Sequence, residues 1–417
     1  MEHAVGRTPA QPDATVRVPL TASRAISTFG ITVVGFMTAN LVPVMIVALA
    51  DLGFTPTGAG TLMTACLLLS ALACLATSRW TALGGRYVVA RAGLALTALG
   101  FGAAALVAEP TIAAAGIIVG GIGGGGAVAA GGAALAALRD PDRASGISGF
   151  ANRAIVAVVL FIIPVVGLGM ASAFGILACL ALAALVTTGW LPDRPAATPH
   201  GSIGRSASPV DSPRSVTIAG VVLLACFAMW ALGEDSLWAV AAVMGAEQAG
   251  LDEAGMGLVL SLSTLGGLLA SALVGVAGKR LGRTVPLAVA LLIGAALKIA
   301  SGFITDPQLY LVVIIIWNTV YMVAFLYVIA IAAALDPTGR WSAPILGVYL
   351  VGSSFAPLFG TAVSSALGYP ALGIILGCIT LLVLGPLVVV SRESLRREKR
   401  PVPDATPETD FPHAAIA

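Results

Sequence analysis

Four ionisable side chains fall inside apolar stretches long enough to lie in lipid: Arg153, Glu234, Asp235 and Lys298. A charge at the centre of a bilayer costs about 2.5–3.5 kcal/mol on insertion scales, so such a group is kept for pairing or for function. Glu234 and Asp235 are adjacent, between Leu232-Gly233 and Ser236-Leu237-Trp238. Neighbouring carboxylates repel, which favours reversible protonation of one of them, the chemistry of a proton-coupling site. Arg153 follows Asn152 about ten residues into its stretch, roughly 15 Å at helical rise. A guanidinium at that depth either pairs with an acid or holds an anionic group of a solute bidentately. Lys298 lies eight residues before Asp306, and its long stem is expected to snorkel outward to that interface. Uncharged candidates for a solute cavity are Asn40, Asn152, Trp317, Asn318 and Tyr321, with Ser353 and Ser354. Amides and aromatic rings in an otherwise apolar cavity suit a small, partly hydrophobic solute.

Other chemistries lack their parts. His3, His200 and His413 all sit in polar segments, so no imidazole is present at membrane depth to act as a base or metal ligand. The five cysteines (Cys66, Cys74, Cys179, Cys226 and Cys378) lie in apolar runs without ligand spacing and read as small packing residues. Gly121-Ile-Gly123-Gly-Gly-Gly126 fits a dinucleotide G-x-G-x-x-G literally, but no strand precedes it. Those glycines are expected to let helices pack closely instead. No G-x-x-x-x-G-K-[ST] phosphate loop and no channel filter is present. The expectation is a protein that is not an enzyme, with no cofactor, no metal and no nucleic-acid partner.

The stretches that position these residues number twelve. Of 417 residues 58% are hydrophobic and 10% charged, too little charge to cover a soluble protein, so lipid is the solvent for most of the chain. Runs of about 20 apolar residues, the length of one crossing, occur near 26–50, 58–78, 86–107, 111–137, 146–168, 171–190, 217–243, 254–277, 285–304, 309–334, 344–366 and 371–390. Residues 191–215, rich in Pro, Ser, Arg and Asp, read as a linker. This divides the chain into an N-terminal tail 1–24, a six-helix bundle 25–190, the linker, a second bundle 216–391 and a disordered tail 392–417. The first 24 residues lack the apolar core of a signal peptide, so the first helix is expected to direct insertion.

Charge orients the spans. Of 22 basic residues, 20 fall on one side of a twelve-span topology and the other two are Arg153 and Lys298. The opposite connections carry Asp51, Glu109, Glu247, Asp252, Glu253 and Asp306 and no cation. The positive-inside rule then places both termini in the cytoplasm. The halves also repeat. Gly53 to Gly60 matches Gly250 to Gly257, Gly85-Arg86 matches Gly282-Arg283, and Asp140-Pro141 matches Asp336-Pro337, each 196 or 197 residues apart. Six crossings return the chain to its starting side, so the repeat is parallel, about an axis along the membrane normal.

The segment Gly275-Val-Ala-Gly-Lys-Arg-Leu-Gly-Arg-Thr284 resembles the signature loop of the major facilitator superfamily, G-x-x-x-D-R-x-G-R-R, with Lys279 in place of the acid. The resemblance covers 23 to about 391. It implies an all-α membrane protein of two six-helix bundles related by a pseudo-twofold axis, and a gating loop of Gly275, Arg280, Gly282 and Arg283. Within drug exporters of that family, helix four carries an Arg before a Gly-x-Gly. Ile117 stands at that place, so coupling through such an Arg is not expected. Ile163-Pro164-Val-Val-Gly167-Leu-Gly169 partly resembles the helix-five end of antiporters, which leans towards export.

The functional expectation is a secondary active transporter of a small organic solute working by alternating access. It is proton-coupled through Glu234 or Asp235, monomeric, and resident in the plasma membrane (the inner membrane of a bacterium). Proton-linked uptake of an organic anion, and a non-transporting sensor descended from a carrier, are the alternatives.

Overall fold

The computed structural model describes residues 18–107, 109–193, 214–335 and 341–398. Among them the chain forms helices and no strand ladder, only an isolated bridge between Val18 and Leu138. The N-terminal half holds α1 (Ala22–Asp51), α2 (Pro56–Leu83), α3 (Arg86–Leu106), α4 (Pro110–Ala136), α5 (Pro141–Val166) and α6 (Met170–Thr187). The C-terminal half holds α7 (Arg214–Ala249), α8 (Glu253–Leu281), α9 (Thr284–Ser301), α10 (Pro307–Leu335), α11 (Ser342–Ser354) and α12 (Ala356–Glu398). Several starts follow local rules. Thr55, Glu109, Asp140 and Asp252 each cap a helix by accepting a backbone N–H three residues on, and proline follows directly after the first three.

The last two expected spans, 344–366 and 371–390, coincide with two crossings, although the helix breaks do not all fall between them. A break at Phe355 separates α11 from α12 just before Pro357, whose missing N–H cannot continue the ladder. Within α12, Gly368 has φ 81° and ψ 170°. The chain therefore turns there, ahead of Pro370, and crosses twice: α11 with 356–367 is one span, and 369–398 the next. Twelve crossings result, with Val18 and Glu398 on one side, called here the terminal side.

The backbone itself records the duplication. Among the described residues six adopt positive φ, all glycines: Gly53, Gly84, Gly167, Gly250, Gly282 and Gly368. They form three pairs, Gly53 with Gly250, Gly84 with Gly282, and Gly167 with Gly368, each in the equivalent connection of the two halves. Only glycine enters this region without steric cost. The second pair corrects the expected register. Helix α8 has 29 residues against 28 in α2, so Gly282 corresponds to Gly84 and Arg283 to Gly85. Arg86 is accordingly the first residue of α3 and not the counterpart of Arg283. The other copy of Asp140-Pro141, at 336–337, lies outside the described residues.

Packing distinguishes the two sides of the membrane. On the far side one continuous core runs across both halves, joining Met45, Leu49 and Ile163 to Ala242, Met256 and Leu260. On the terminal side the halves keep separate cores. Ile31, Val89, Leu94 and Ala184 form one; Leu223, Leu287, Ile331 and Val383 form the other. The outer surface is apolar, with Leu99, Val186, Leu269 and Leu382 each more than half exposed, as a lipid-facing surface requires.

The glycine run of α4 is a packing device, as expected. A methyl group at Gly123 would lie 2.4 Å from the Gly93 carbonyl oxygen, and one at Gly125 would lie 2.0 Å from that of Ser70. Helix α4 is thus wedged between α3 and α2 at backbone contact. The terminal-side loop after α2 binds the end of its own half. Arg86 is buried and donates to the carbonyls of Thr81 (2.9 Å) and Pro192 (3.1 Å), while Asp193 accepts from the Tyr87 amide. We expect Gly125→Ala to lower stability by about 1–3 kcal/mol through overpacking. Gly294→Ala, where nothing lies within 4 Å of the added carbon, should be neutral or slightly stabilising. Thermal unfolding in detergent, followed by tryptophan fluorescence, checks both; equal midpoints would contradict the wedge.

Candidate functional site

Between the two halves lies a cavity of about 600 Å³. Its walls come from α1 (Phe36, Asn40), α5 (Ser148, Asn152, Arg153), α7 (Glu234, Asp235, Trp238), α10 (Trp317, Asn318, Tyr321) and α11 (Tyr349, Ser353). Ser145, Gly149, Gly132 and Leu346, at the terminal-side ends of their helices, line it and are exposed. On the far side the halves are sealed. Ser261 donates to the Ala157 carbonyl (2.8 Å), Trp238 to that of Asn40 (3.2 Å), and the amide of Leu358 to Thr64 (3.1 Å). A methyl group at Gly257 would meet Pro164 at 2.8 Å. The cavity is a cleft open towards the terminal side.

The two consecutive acids of α7 point to different surroundings. Glu234 is buried, and its Oε1 accepts from Lys298 Nζ at 2.5 Å. Its Oε2 accepts from Trp317 Nε1 at 2.7 Å, and Lys298 also donates to Thr380 Oγ1 at 2.5 Å. This corrects the expectation for Lys298. It does not snorkel to the Asp306 interface but is fully buried, turned inward from α9 to α7 and α12. The carboxylate opposite outweighs the interface because both charges would otherwise be unpaired in a dry interior. Glu234 is thereby paired with a cation, which offsets part of the repulsion expected of adjacent free acids.

Asp235 is half-buried and faces the cavity. Its Oδ2 accepts from the Tyr349 hydroxyl at 2.8 Å, Ser353 donates to the same carboxylate, and Tyr321 lies 2.6 Å from Tyr349, hydroxyl to hydroxyl. Arg153 lines the cavity from the opposite half, and its charge acts on Asp235. Among the described residues no carboxylate lies within salt-bridge reach of it. Three polar atoms lining the cleft have no hydrogen-bond partner among the described residues: Ser148 Oγ, Asn152 Oδ1 and Asn318 Nδ2. A buried polar group costs free energy unless something bonds to it, so these three atoms carry an unmet hydrogen-bonding demand beside the cleft.

Asn40, Asn152, Arg153, Glu234, Asp235, Trp317, Asn318 and Tyr321 are all brought to this one cavity. Two are engaged elsewhere as well. The Asn40 amide donates to Phe36 of its own helix, and Trp317 is buried against Glu234. Ser354 bonds its own helix at Leu350. Of the gating loop, Gly282 closes α8 and Arg283 precedes α9, while the side chain of Arg280 and the surroundings of Gly275 lie outside what is described. The residues not anticipated are Tyr349, Phe325, Trp238, Ser148 and Thr380. One signal for the first two was available: Tyr321 and Phe325, and Tyr349 and Ser353, are spaced i, i+4 and so share a helix face.

Removing one member of the buried pair should be far worse than removing both. Lys298→Ala, which strands a buried carboxylate, is expected to cost about 3–5 kcal/mol. Lys298→Met combined with Glu234→Gln should recover most of that loss. Thermal unfolding and the monodisperse fraction on gel filtration report it; a double variant no better than the single would sink the ion-pair reading.

Comparison with known proteins fits this geometry. Residues 27–343 match the family model of the Major Facilitator Superfamily. No curated protein matches the chain. Among solved structures, a peptide transporter POT in complex with sulfate superimposes with a TM-score of 0.71 at 13% identity, covering 91% of this chain and 98% of that one. A POT family transporter in complex with a thioalcohol-conjugated peptide gives 0.69 at 15% identity, covering 89% and 96%. The human organic anion transporter MFSD10 (TETRAN) gives 0.59 at 16% identity, covering 88% and 100%. At these identities the structures speak for the fold alone. With a family match over residues 27–343 of its 417 and two six-helix bundles around a central cleft, this chain belongs to the Major Facilitator Superfamily, as a multi-pass secondary transporter of small molecules.

Proposed function

We propose that the chain is a proton-coupled carrier of a small organic solute that works by alternating access and exports its solute in exchange for protons. Residues 25–190 and 216–391 are the two bodies that rock, and one chain contains the whole path, so a monomer suffices. The basic residues of the terminal-side connections support a plasma-membrane orientation with that side cytoplasmic, and the cleft then faces the cytoplasm. The single observation that carries the reading is the cleft itself. It is open on one side, sealed on the other, and holds on facing walls a carboxylate and an arginine that have no salt-bridge partner among the described residues.

Roles follow from the surroundings. Asp235 is the proton site, because it faces the cleft while Glu234 is held by Lys298 and Trp317. Arg153 holds an anionic group of the solute, with Asn152 beside it. Protonation of Asp235 removes the negative charge facing Arg153 and so alters how strongly the halves hold the solute between them. Export draws support from the helix-five end, where Pro164 packs against Gly257 in the far-side seal.

The test is flux in proteoliposomes, screening labelled organic anions, zwitterions and amines. An acid lumen should drive accumulation of the solute, as exchange requires; accumulation driven only by an acid exterior would mean uptake with the proton. Asp235→Asn should abolish gradient-driven accumulation at any solute concentration, whereas solute–solute exchange should persist once the solute is raised to saturate the variant. Arg153→Ala should raise the half-saturating concentration roughly 10-fold or more, the scale of a lost charge-assisted bond. Full coupling retained in Asp235→Asn would remove the proton assignment.

A further inference from the structure

The wall around Asp235 contains more aromatic surface than a proton site needs. Phe325 and Tyr349 meet edge to face with ring centroids 5.1 Å apart, Tyr321 lies 6.0 Å from Phe325, and Trp317 lies 6.4 Å from Tyr321. All four rings line the cleft. Behind them Trp230 and Phe227 are fully buried, stacked on Tyr321 at 5.3 Å and tilted against Tyr349 at 5.3 Å, so the front rings are held in place. The hydroxyls of Tyr349 and Ser353 satisfy part of the Asp235 carboxylate, which has about four lone-pair positions. Unbonded positions therefore remain on an acid that faces the cleft.

Charge around that acid is accounted for on every neighbouring element. The cation nearest in its own half, Lys298 of α9, is bound to Glu234 and Thr380. Arg153 of α5 faces it from the other half, beyond salt-bridge reach. The remaining titratable neighbours are the neutral phenols of Tyr321 on α10 and Tyr349 on α11, and Glu234 on α7 itself. A carboxylate in a wall lined with several aromatic rings attracts a positive group with low hydration, such as an alkylated ammonium. Across the cleft the Arg153 guanidinium presents the opposite charge.

We infer that Asp235 with the rings of Tyr321, Phe325 and Tyr349 is an ammonium subsite, so that the transported solute is a zwitterion whose cationic end lies here and whose anionic end lies at Arg153. The inference rests on the proposed central site and adds its substrate class. It also makes proton and solute alternative occupants of one carboxylate: the solute leaves when Asp235 is protonated.

Three probes of one size test it on the purified full chain in detergent: benzyltrimethylammonium, phenylacetate and phenylalanine, with binding read by tryptophan fluorescence or calorimetry. The cation and the zwitterion should bind, and each should weaken as pH falls. Asp235→Asn should lower affinity for both roughly 10-fold or more while leaving phenylacetate unchanged. Tyr349→Leu should lower cation affinity roughly 5-fold, and Tyr349→Phe, which keeps the ring, should hold most of it. These Tyr349 variants keep the test intact if Asp235→Asn does not fold. Phenylacetate binding lost in Arg153→Ala, without any binding of the cation or the zwitterion, overturns the ammonium subsite and leaves the central anion site standing. No binding of any probe, or equal loss in both Tyr349 variants, overturns it as well.

Discussion

Charge in a medium that cannot solvate it is the constraint on which this architecture turns. An ion in the hydrocarbon region needs an opposite charge or a water-filled space, and the four ionisable residues within the spans satisfy this in two ways. Lys298 and Glu234 satisfy each other where α7, α9, α10 and α12 meet, buried behind the cleft wall to which Glu234 also belongs. Arg153 and Asp235 remain apart and face the cleft. Consecutive residues on a helix diverge by about 100°, which is how Glu234 and Asp235 come to serve two different surroundings. One of them fixes the packing of the C-terminal half. The other stays available to whatever enters between the halves.

The architecture was readable because lipid imposes a coarse alphabet. Twelve apolar runs, one basic side and a half-length repeat are each properties of long segments, and they survive errors of several residues at any boundary. The fine register did not survive as well. Gly85-Arg86 and Gly282-Arg283 look equivalent in sequence, but one added residue in α8 shifts them, and only backbone geometry, with Gly84 and Gly282 both at positive φ, reveals it. The last two spans did survive: the turn at Gly368 lies between the runs 344–366 and 371–390, and only the break before Pro357, inside the first run, leaves no mark in hydropathy.

The site was legible where a residue type is anomalous for lipid and illegible where direction mattered. Glu234, Asp235, Arg153, Asn152 and Asn318 stand out in apolar helices, and all reach the cavity. Lys298 stands out equally, yet its direction could not be read. Helix α9 is apolar on both faces, with Leu287 and Leu291 buried and Leu292 and Ile293 turned to lipid, so no periodicity separates inside from outside. Tyr349 and Phe325 were passed over for a related reason. An aromatic ring costs nothing in lipid, so only its neighbours show whether it serves a site.

The far-side seal is built from weak parts, and this bears on how the protein moves. Ser261 to Ala157, Trp238 to Asn40, Leu358 to Thr64, and the Leu168 amide to Glu253 at 3.3 Å are single hydrogen bonds, each worth about 1 kcal/mol net. The rest is close packing at small residues such as Gly60 and Gly257. Among the described residues no ion pair crosses this seal; the strong pair, Lys298 with Glu234, lies within one half and need not break when the halves part. A cleft closed by several small terms opens at small cost once equivalent contacts form on the opposite face. In the alternating access proposed above, the two arrangements would then differ by about a few kcal/mol, and occupancy of the Asp235 carboxylate would be enough to choose between them.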